Sequence, residues 1–196
     1  LPKALTMMQK DIDRGIAPDA VVSDGLIPAI TVVGEQFQNG RIYIPEMMIA
    51  ARAMSATLDH FKEILAGTGE ARKLGTVVIG TVQGDLHDIG KNLVAMILKG
   101  QGFQVEDLGV SVTTAKFVDA VREKKPEILA MSALLTTTMI EMRNTIDALK
   151  SAGLRDRVKV VVGGAPVTPA FAEQIGADGN AYDAPGAARL CKDLLR

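Results

Sequence analysis

Thr76-Val77-Val78-Ile79-Gly80-Thr81-Val82 runs straight into Gln83-Gly84-Asp85-Leu86-His87-Asp88-Ile89-Gly90-Lys91-Asn92. The first part is an apolar, β-branched run of strand length, and the second is a glycine-punctuated loop that opens a helix. That loop offers one histidine flanked by carboxylates. A carboxylate holding one ring nitrogen fixes the tautomer and the direction of the other, which is what a metal ligand requires. His87 is therefore the residue around which the chain has to be understood.

From this run to the C-terminus, short β-branched segments alternate with helical ones, with strands expected near 75–82, 103–108, 127–132, 158–163 and 179–182. Such alternation implies parallel strands joined by crossover helices, so the expected fold class is α/β, a doubly wound, Rossmann-like or flavodoxin-like parallel sheet of five strands. Ligands of these sheets bind beyond the carboxyl ends of the strands. Three unusual loops fall there: Gln83 to Gly90, Ser132 to Thr138, and Gly163-Gly164-Ala165-Pro166.

The preceding residues have a different rhythm. From about Leu5 to Ala66, apolar residues recur at helical spacing, as in Leu26, Ile27, Ile30, Val33 and Phe37, then Met47, Met48, Ala51, Met54 and Leu58. Pro18, Pro28 and Pro45 suit helix starts, and Asn39-Gly40 reads as a turn between two helices. An N-terminal bundle of about four helices is expected, followed by a small, charged boundary loop, Ala66-Gly67-Thr68-Gly69-Glu70-Ala71-Arg72-Lys73. A chain of 196 residues accommodates two modest domains of this kind.

Composition excludes several classes of function. The net charge is −1, which gives no footprint for nucleic acid or an anionic membrane surface. No apolar run is long enough to span a bilayer, and the first residues do not form a signal peptide. The single Cys191 rules out an internal disulfide, suits a reducing interior and reads as inert packing, so a cytoplasmic location is expected. The chain begins at Leu1, and its true N-terminus is expected to be missing.

Each unusual loop also has an ordinary reading. His87 can be a solvated loop residue beside an Asp85 or Asp88 that caps the next helix. The glycines shift the balance, because Gly84 and Gly90 let a bulky ligand approach the backbone. Gly80, Gly84 and Gly90 lack dinucleotide-motif spacing, and no Gly-Lys-Thr/Ser follows the strand. Zinc is excluded because the chain has two histidines and one cysteine, with His60 in the helical half. His87 would be the sole strong protein ligand of its metal, which makes sense where a macrocycle such as haem or a corrin supplies the rest. A phosphorelay receiver needs an aspartate at the end of the third strand, which instead reads Ala130-Met131-Ser132-Ala133-Leu134. The hydroxyls of Ser132, Thr136, Thr137 and Thr138 can be incidental to a helix N-cap, or Thr138 can donate to Asp85 and complete a hydroxyl–carboxylate–imidazole relay. Gly163-Gly164 reads as a tight turn or as a groove for a long ligand.

Together these segments resemble the cobalamin-binding modules of cobalamin-dependent methionine synthase and of the small corrinoid proteins of methyltransferase systems. Its signature is Asp85-x-His87-x-x-Gly90, then Ser132-x-Leu134, then Gly163-Gly164, while Val33 to Glu46 looks like the family's helical cap. The resemblance implies a cap over residues 1–70 and a B12-binding fold over 74–196, with a hinge at 66–74. It implies cobalamin or a related corrinoid, as methylcobalamin, bound base-off with His87 as the axial ligand of cobalt. Gly84, Leu86, Asp88, Ile89 and Gly90 would surround that ligand, Asp85 would hold His87, and Thr138 would hold Asp85, so that methyl transfer and protonation of the relay are linked. Ser132, Leu134 and Thr136 would contact the corrinoid or its tail, Gly163, Gly164 and Ala184 would line the tail's channel, and Phe37 and Ile44 would cover the upper face. Thr138 stands where methionine synthase carries serine, and Thr137 replaces a proline.

The implied function is that of a corrinoid carrier, not an enzyme by itself. Its partners would be a methyltransferase that methylates the corrinoid, a second, tetrahydrofolate- or thiol-dependent methyltransferase that takes the methyl group, and a reductive activator. A cobalamin-dependent regulator or sensor and the B12-binding subunit of a radical mutase are the alternatives. The first would need a DNA-binding segment, which is not visible here, and mutases lack the cap.

Overall fold

The computed structural model describes residues 2–16, 20–60 and 74–196. The boundary loop expected at 66–73, most of the expected hinge, and Pro18 lie outside the described residues. The chain divides into two compact units. One comprises the helices before residue 74 together with Met96–Gly102, and the other comprises Leu74–Ala95 and Phe103–Arg196.

The helical unit contains α1 (Pro2–Asp13), a π-helical segment (Val21–Leu26) that continues as α2 (Ile27–Gln38), and α3 (Ile44–His60). Pro28 sits in the first turn of α2, where a missing N–H costs little. At the Asn39-Gly40 turn, Gly40 adopts φ 67° and donates its N–H to Phe37 O at 3.0 Å. The turn into α3 is held by Tyr43 N–H donating to Glu46 Oε2 at 3.0 Å. Ile30, Ala51 and Met54 are buried together, with Leu26, Val33, Ala50 and Met96 against them. The helical spacing of apolar residues thus corresponds to facing apolar stripes on α2 and α3.

The second unit is built on β1 (Thr76–Thr81), the first half of α4 (Ile89–Gly100, whose residues from Met96 on belong to the first unit), β2 (Gln104–Asp107), α5 (Thr114–Lys124), β3 (Ile128–Ser132), α6 (Ile140–Ser151), β4 (Lys159–Gly163), α7 (Pro169–Ile175), β5 (Gly179–Ala181) and α8 (Ala184–Asp193). The strands form one parallel sheet in the order β2-β1-β3-β4-β5, and each lies within one residue of its expected limits. β1 and β3 are buried almost throughout, which explains why neither alternates polar with apolar residues. Val78, Leu129 and Val160 from the strands pack with Phe117, Met142 and Ile146 from the helices. Among the described residues, no helix is long and apolar enough to cross a membrane.

The order of strands reverses between β1 and β3, and that switch point is where a ligand crevice opens in this fold. Register makes the crevice sharp. Thr81 pairs with Ser132, and Ser132 pairs with Gly163, so the strands that carry the three unusual loops end at one level.

Gly164 is dictated by packing at that level. It adopts φ 128°, and a Cβ there would sit 1.9 Å from Ala133 O. A Cβ at Gly163 would approach Ala181 O to 3.0 Å. Gly164→Ala is expected to cost on the order of 3 kcal/mol in urea unfolding. An unchanged midpoint would show that the β3 and β4 ends do not approach this closely.

Cys191 is 1% exposed, and burial pushes its thiol from 9.0 up to about 12. Between those values the unfolded chain loses this proton while the native state keeps it, so stability falls as pH rises above about 9. Comparing urea unfolding of wild type and Cys191→Ala across this range tests the assignment, since the variant is expected to lack that component of the fall. Parallel pH dependences would refute it.

Candidate functional site

After β1 the chain turns at Gly84, which takes φ 79°, and sends the Asp85 carboxylate inward, where the residue is 0% exposed. A buried charge survives only with its lone pairs occupied. Asp85 Oδ1 accepts the His87 backbone N–H at 3.0 Å and faces His87 Nδ1 at 2.7 Å. Asp85 Oδ2 accepts N–H groups from Leu134 at 2.7 Å and Leu135 at 3.2 Å, both in the loop after β3. Thr138 Oγ1 lies 3.0 Å from Asp85 Oδ2 and 2.9 Å from Leu135 O. A hydroxyl has one proton to give, and the bond to a carboxylate is the stronger one.

Burial alone would raise the Asp85 pKa. The N–H groups of His87 and Leu134, the His87 ring and the Thr138 hydroxyl outweigh it, and hold the carboxyl well below the usual carboxylate range. Asp85 is therefore an anion. Nδ1 of His87 carries the proton that faces it, which leaves the Nε2 lone pair free of this clamp on a side chain that is 52% exposed. The loop backbone is fixed as well, because Thr81 Oγ1 donates to His87 O at 2.9 Å and Gly84 N–H donates to Ser111 Oγ at 3.1 Å. Thr81 and Ser111 were not among the residues expected at the site. A hydroxyl at the end of an apolar strand is a faint signal for Thr81, and nothing in the sequence marks Ser111.

The remaining expected residues fall into distinct settings. Neither Asp85 nor the Thr136–Thr138 hydroxyls act as helix caps: Met139 precedes α6 without a side-chain cap, and Asp85 joins two loops. Asp88 opens α4, with Asn92 Nδ2 donating to its Oδ2 at 3.0 Å. Ser132 is half-buried at the end of β3, Thr136 is exposed and Thr138 is buried. The missing side chains of Gly163 and Gly164 are accounted for by neighbouring strand ends, so the glycines need no groove to explain them. Ala184 is buried in the first turn of α8. In the helical unit, Phe37 is half-buried near the end of α2 and Ile44 is exposed at the start of α3.

Two features have no account in the packing of the protein itself. Gly90 has no positive φ and nothing within 4 Å of where its Cβ would be, although alanine would suit a helix better. Leu86 is 72% and Ile89 67% exposed, and Leu134 and Leu135 beside them are also exposed. An apolar rim, an open approach at Gly90 and one outward imidazole nitrogen fit a large ligand with an apolar face that carries a metal. Among the described residues, no group of three or more His, Cys, Asp and Glu side chains converges to hold a metal ion. A metal at His87 would bring its other ligands with it, and these residues fit a corrinoid on those grounds.

Comparison with known proteins follows the same direction. Residues 75–189 match the family model described as the B12 binding domain, and residues 3–62 match a second model with the same description. The dimethylamine corrinoid protein of Methanosarcina barkeri is 41% identical over 180 residues, spanning 92% of this chain and 84% of that protein. Among solved structures, a cobalamin-binding protein from Desulfitobacterium hafniense DCB-2 superposes with TM-score 0.83 at 34% identity, covering 96% of this chain and 89% of that one. A chain of the methanol:cobalamin methyltransferase complex from Methanosarcina barkeri gives TM-score 0.82 at 31% identity, covering 95% and 71%.

Asp85→Asn places an amide N–H₂ against a backbone N–H in either orientation, that of His87 on one side or those of Leu134 and Leu135 on the other. Loss of about 3 kcal/mol is expected in urea unfolding of the cofactor-free protein, and about 1 kcal/mol for Thr138→Val. Wild-type stability in Asp85→Asn would mean that the carboxylate does not join the two loops.

Proposed function

The chain belongs to the B12 binding domain family, and on that premise we propose that it is a corrinoid carrier which shuttles a methyl group between methyltransferase partners. The observation that carries this reading is the clamped His87, whose Nδ1–H is committed to an ionised, buried Asp85 while Nε2 faces outward. Bound cobalamin would supply a cobalt centre that takes up and gives up a methyl group.

The chain's own residues then have separable tasks. His87 Nε2 would serve as the lower ligand, in base-off, histidine-on binding. Asp85 sets the tautomer, and the loop after β3 holds Asp85 through Leu134, Leu135 and Thr138, so the imidazole is oriented before any ligand arrives. Leu86, Ile89, Leu134 and Leu135 would cover an apolar face and exclude water from the metal's lower side. Gly90 would admit the ligand edge. Ser132 and Thr136 would contact the corrinoid or its tail near Gly163, Gly164 and Ala184. Residues 1–70 would act as the cap, with Phe37 and Ile44 over the upper face, and residues 74–196 as the binding domain.

Neither half-reaction would be catalysed by this chain. A methyltransferase would methylate the corrinoid, a second, tetrahydrofolate- or thiol-dependent, would remove the methyl group, and a reductive activator would restore the carrier. A methylamine as methyl donor is supported by the relatives named for dimethylamine.

Reconstitution with methylcobalamin, and separately with adenosylcobalamin, followed by visible spectroscopy tests the reading. The wild-type protein is expected to bind methylcobalamin with its own base displaced. His87→Ala is expected to shift the bound spectrum to that of a corrinoid without a protein nitrogen ligand. An identical spectrum in His87→Ala removes the axial role.

A further inference from the structure

Lys91 is the one lysine or arginine side chain buried among the described residues. It lies in the first turn of α4, and its side chain is 2% exposed. Nζ pairs with Asp107 Oδ2 at the end of β2 and donates to Asn92 Oδ1 at 2.7 Å. Asn92 returns to Asp88, donating its backbone N–H to Asp88 O at 2.7 Å and Nδ2 to Asp88 Oδ2 at 3.0 Å. Asp107 is itself oriented by Gly109 N–H on Oδ1 at 2.9 Å. The network thus runs from the end of β2 to the residue that follows His87.

The same β2 loop reaches the other end of the segment. Ser111, held at φ 49°, accepts from Gly84 N–H at 3.1 Å and donates its own N–H to Asp85 O at 2.9 Å. Gly84 to Asp88 is therefore gripped at both ends by residues 107–111, independently of the clamp from the β3 loop. A buried ion pair is seldom better for stability than apolar side chains of the same shape, so stability does not explain Lys91. Directionality does, because an ammonium that must satisfy two oxygens fixes where α4 and Asp88 stand.

We infer that Lys91 and Asp107 form a positioning pair that sets the direction of the His87 imidazole for metal ligation. The inference rests on the proposed axial role of His87. The test uses the full chain labelled with nitrogen-15 in histidine, reconstituted with cobalamin in its cobalt(II) form and read by electron paramagnetic resonance. A labelled histidine on cobalt splits the signal into doublets, whereas the corrinoid's own unlabelled base gives triplets. Wild type is expected to show the doublet. Lys91→Met is expected to lose it from at least half of the bound cobalt while its melting temperature stays within about 5 °C of wild type. The double variant Lys91→Met/Asp107→Asn, which leaves neither charge alone, is expected to behave in the same way and provides the reading if the single variant does not fold. A wild-type doublet that survives in the variants overturns this inference alone. Loss of the doublet only with a larger fall in melting temperature also overturns it, since the pair would then be a general brace. Absence of the doublet in wild type overturns the His87 reading and this inference with it.

Discussion

One buried carboxylate organises the site. Asp85 lies on the loop after β1, yet its second oxygen is filled by groups from the loop after β3. An anion with no exposed surface would be prohibitively costly if any of these donors pointed elsewhere. The geometry of His87 is consequently tied to the register of two adjacent strands, since Thr81 and Ser132 must end side by side for the loops to meet over Asp85. The imidazole is a reporter of sheet order as much as a feature of its own loop.

That dependence explains why polar groups accumulate where the sheet is otherwise aliphatic. Thr81, Asp85, Lys91 and Thr138 are all buried. Thr81 and Thr138 bond directly to the Asp85–His87 segment, and Lys91 reaches the adjoining Asp88 through Asn92. Facing outward at the same place are Leu86, Ile89, Leu134 and Leu135, interspersed with His87, Asp88, Thr136 and Thr137. Four exposed aliphatic side chains grouped over a buried polar cluster depart from the usual distribution.

Legibility followed sequence distance. β1, β3 and β4 were readable as short apolar runs with turn residues at their ends, and burial on both faces accounts for the continuous apolar character of β1 and β3. β2 (Gln104–Asp107) and β5 (Gly179–Ala181) carry little β-branched signal and were placed by the alternation of strands with helices. The Asp85–His87 contact spans two residues; spacing offered both flanking carboxylates, and the family resemblance pointed to Asp85. The contacts of Ser111 with Gly84 and of Lys91 with Asp107 bridge separate elements, and neither residue type announces such a role. Gly163-Gly164 was ambiguous for a related reason. A glycine pair looks the same whether its missing side chains leave room for a ligand or for neighbouring backbone, and the packed strand ends show that Ala133 and Ala181 approach them closely.

By itself the sequence determined the class of fold, the positions of the strands, and the identity of the histidine that stands at the sheet's carboxyl edge. Those properties reside in local pattern: apolar periodicity, glycine punctuation and carboxylate spacing. Tertiary structure alone decided that Asp85 is an anion, that Nε2 rather than Nδ1 is the outward nitrogen, and that the loop after β2 holds the same segment from the opposite side. Each of these depends on donors that are distant in the chain, and a carboxylate's charge state is set by what surrounds it in space rather than by what precedes it in sequence.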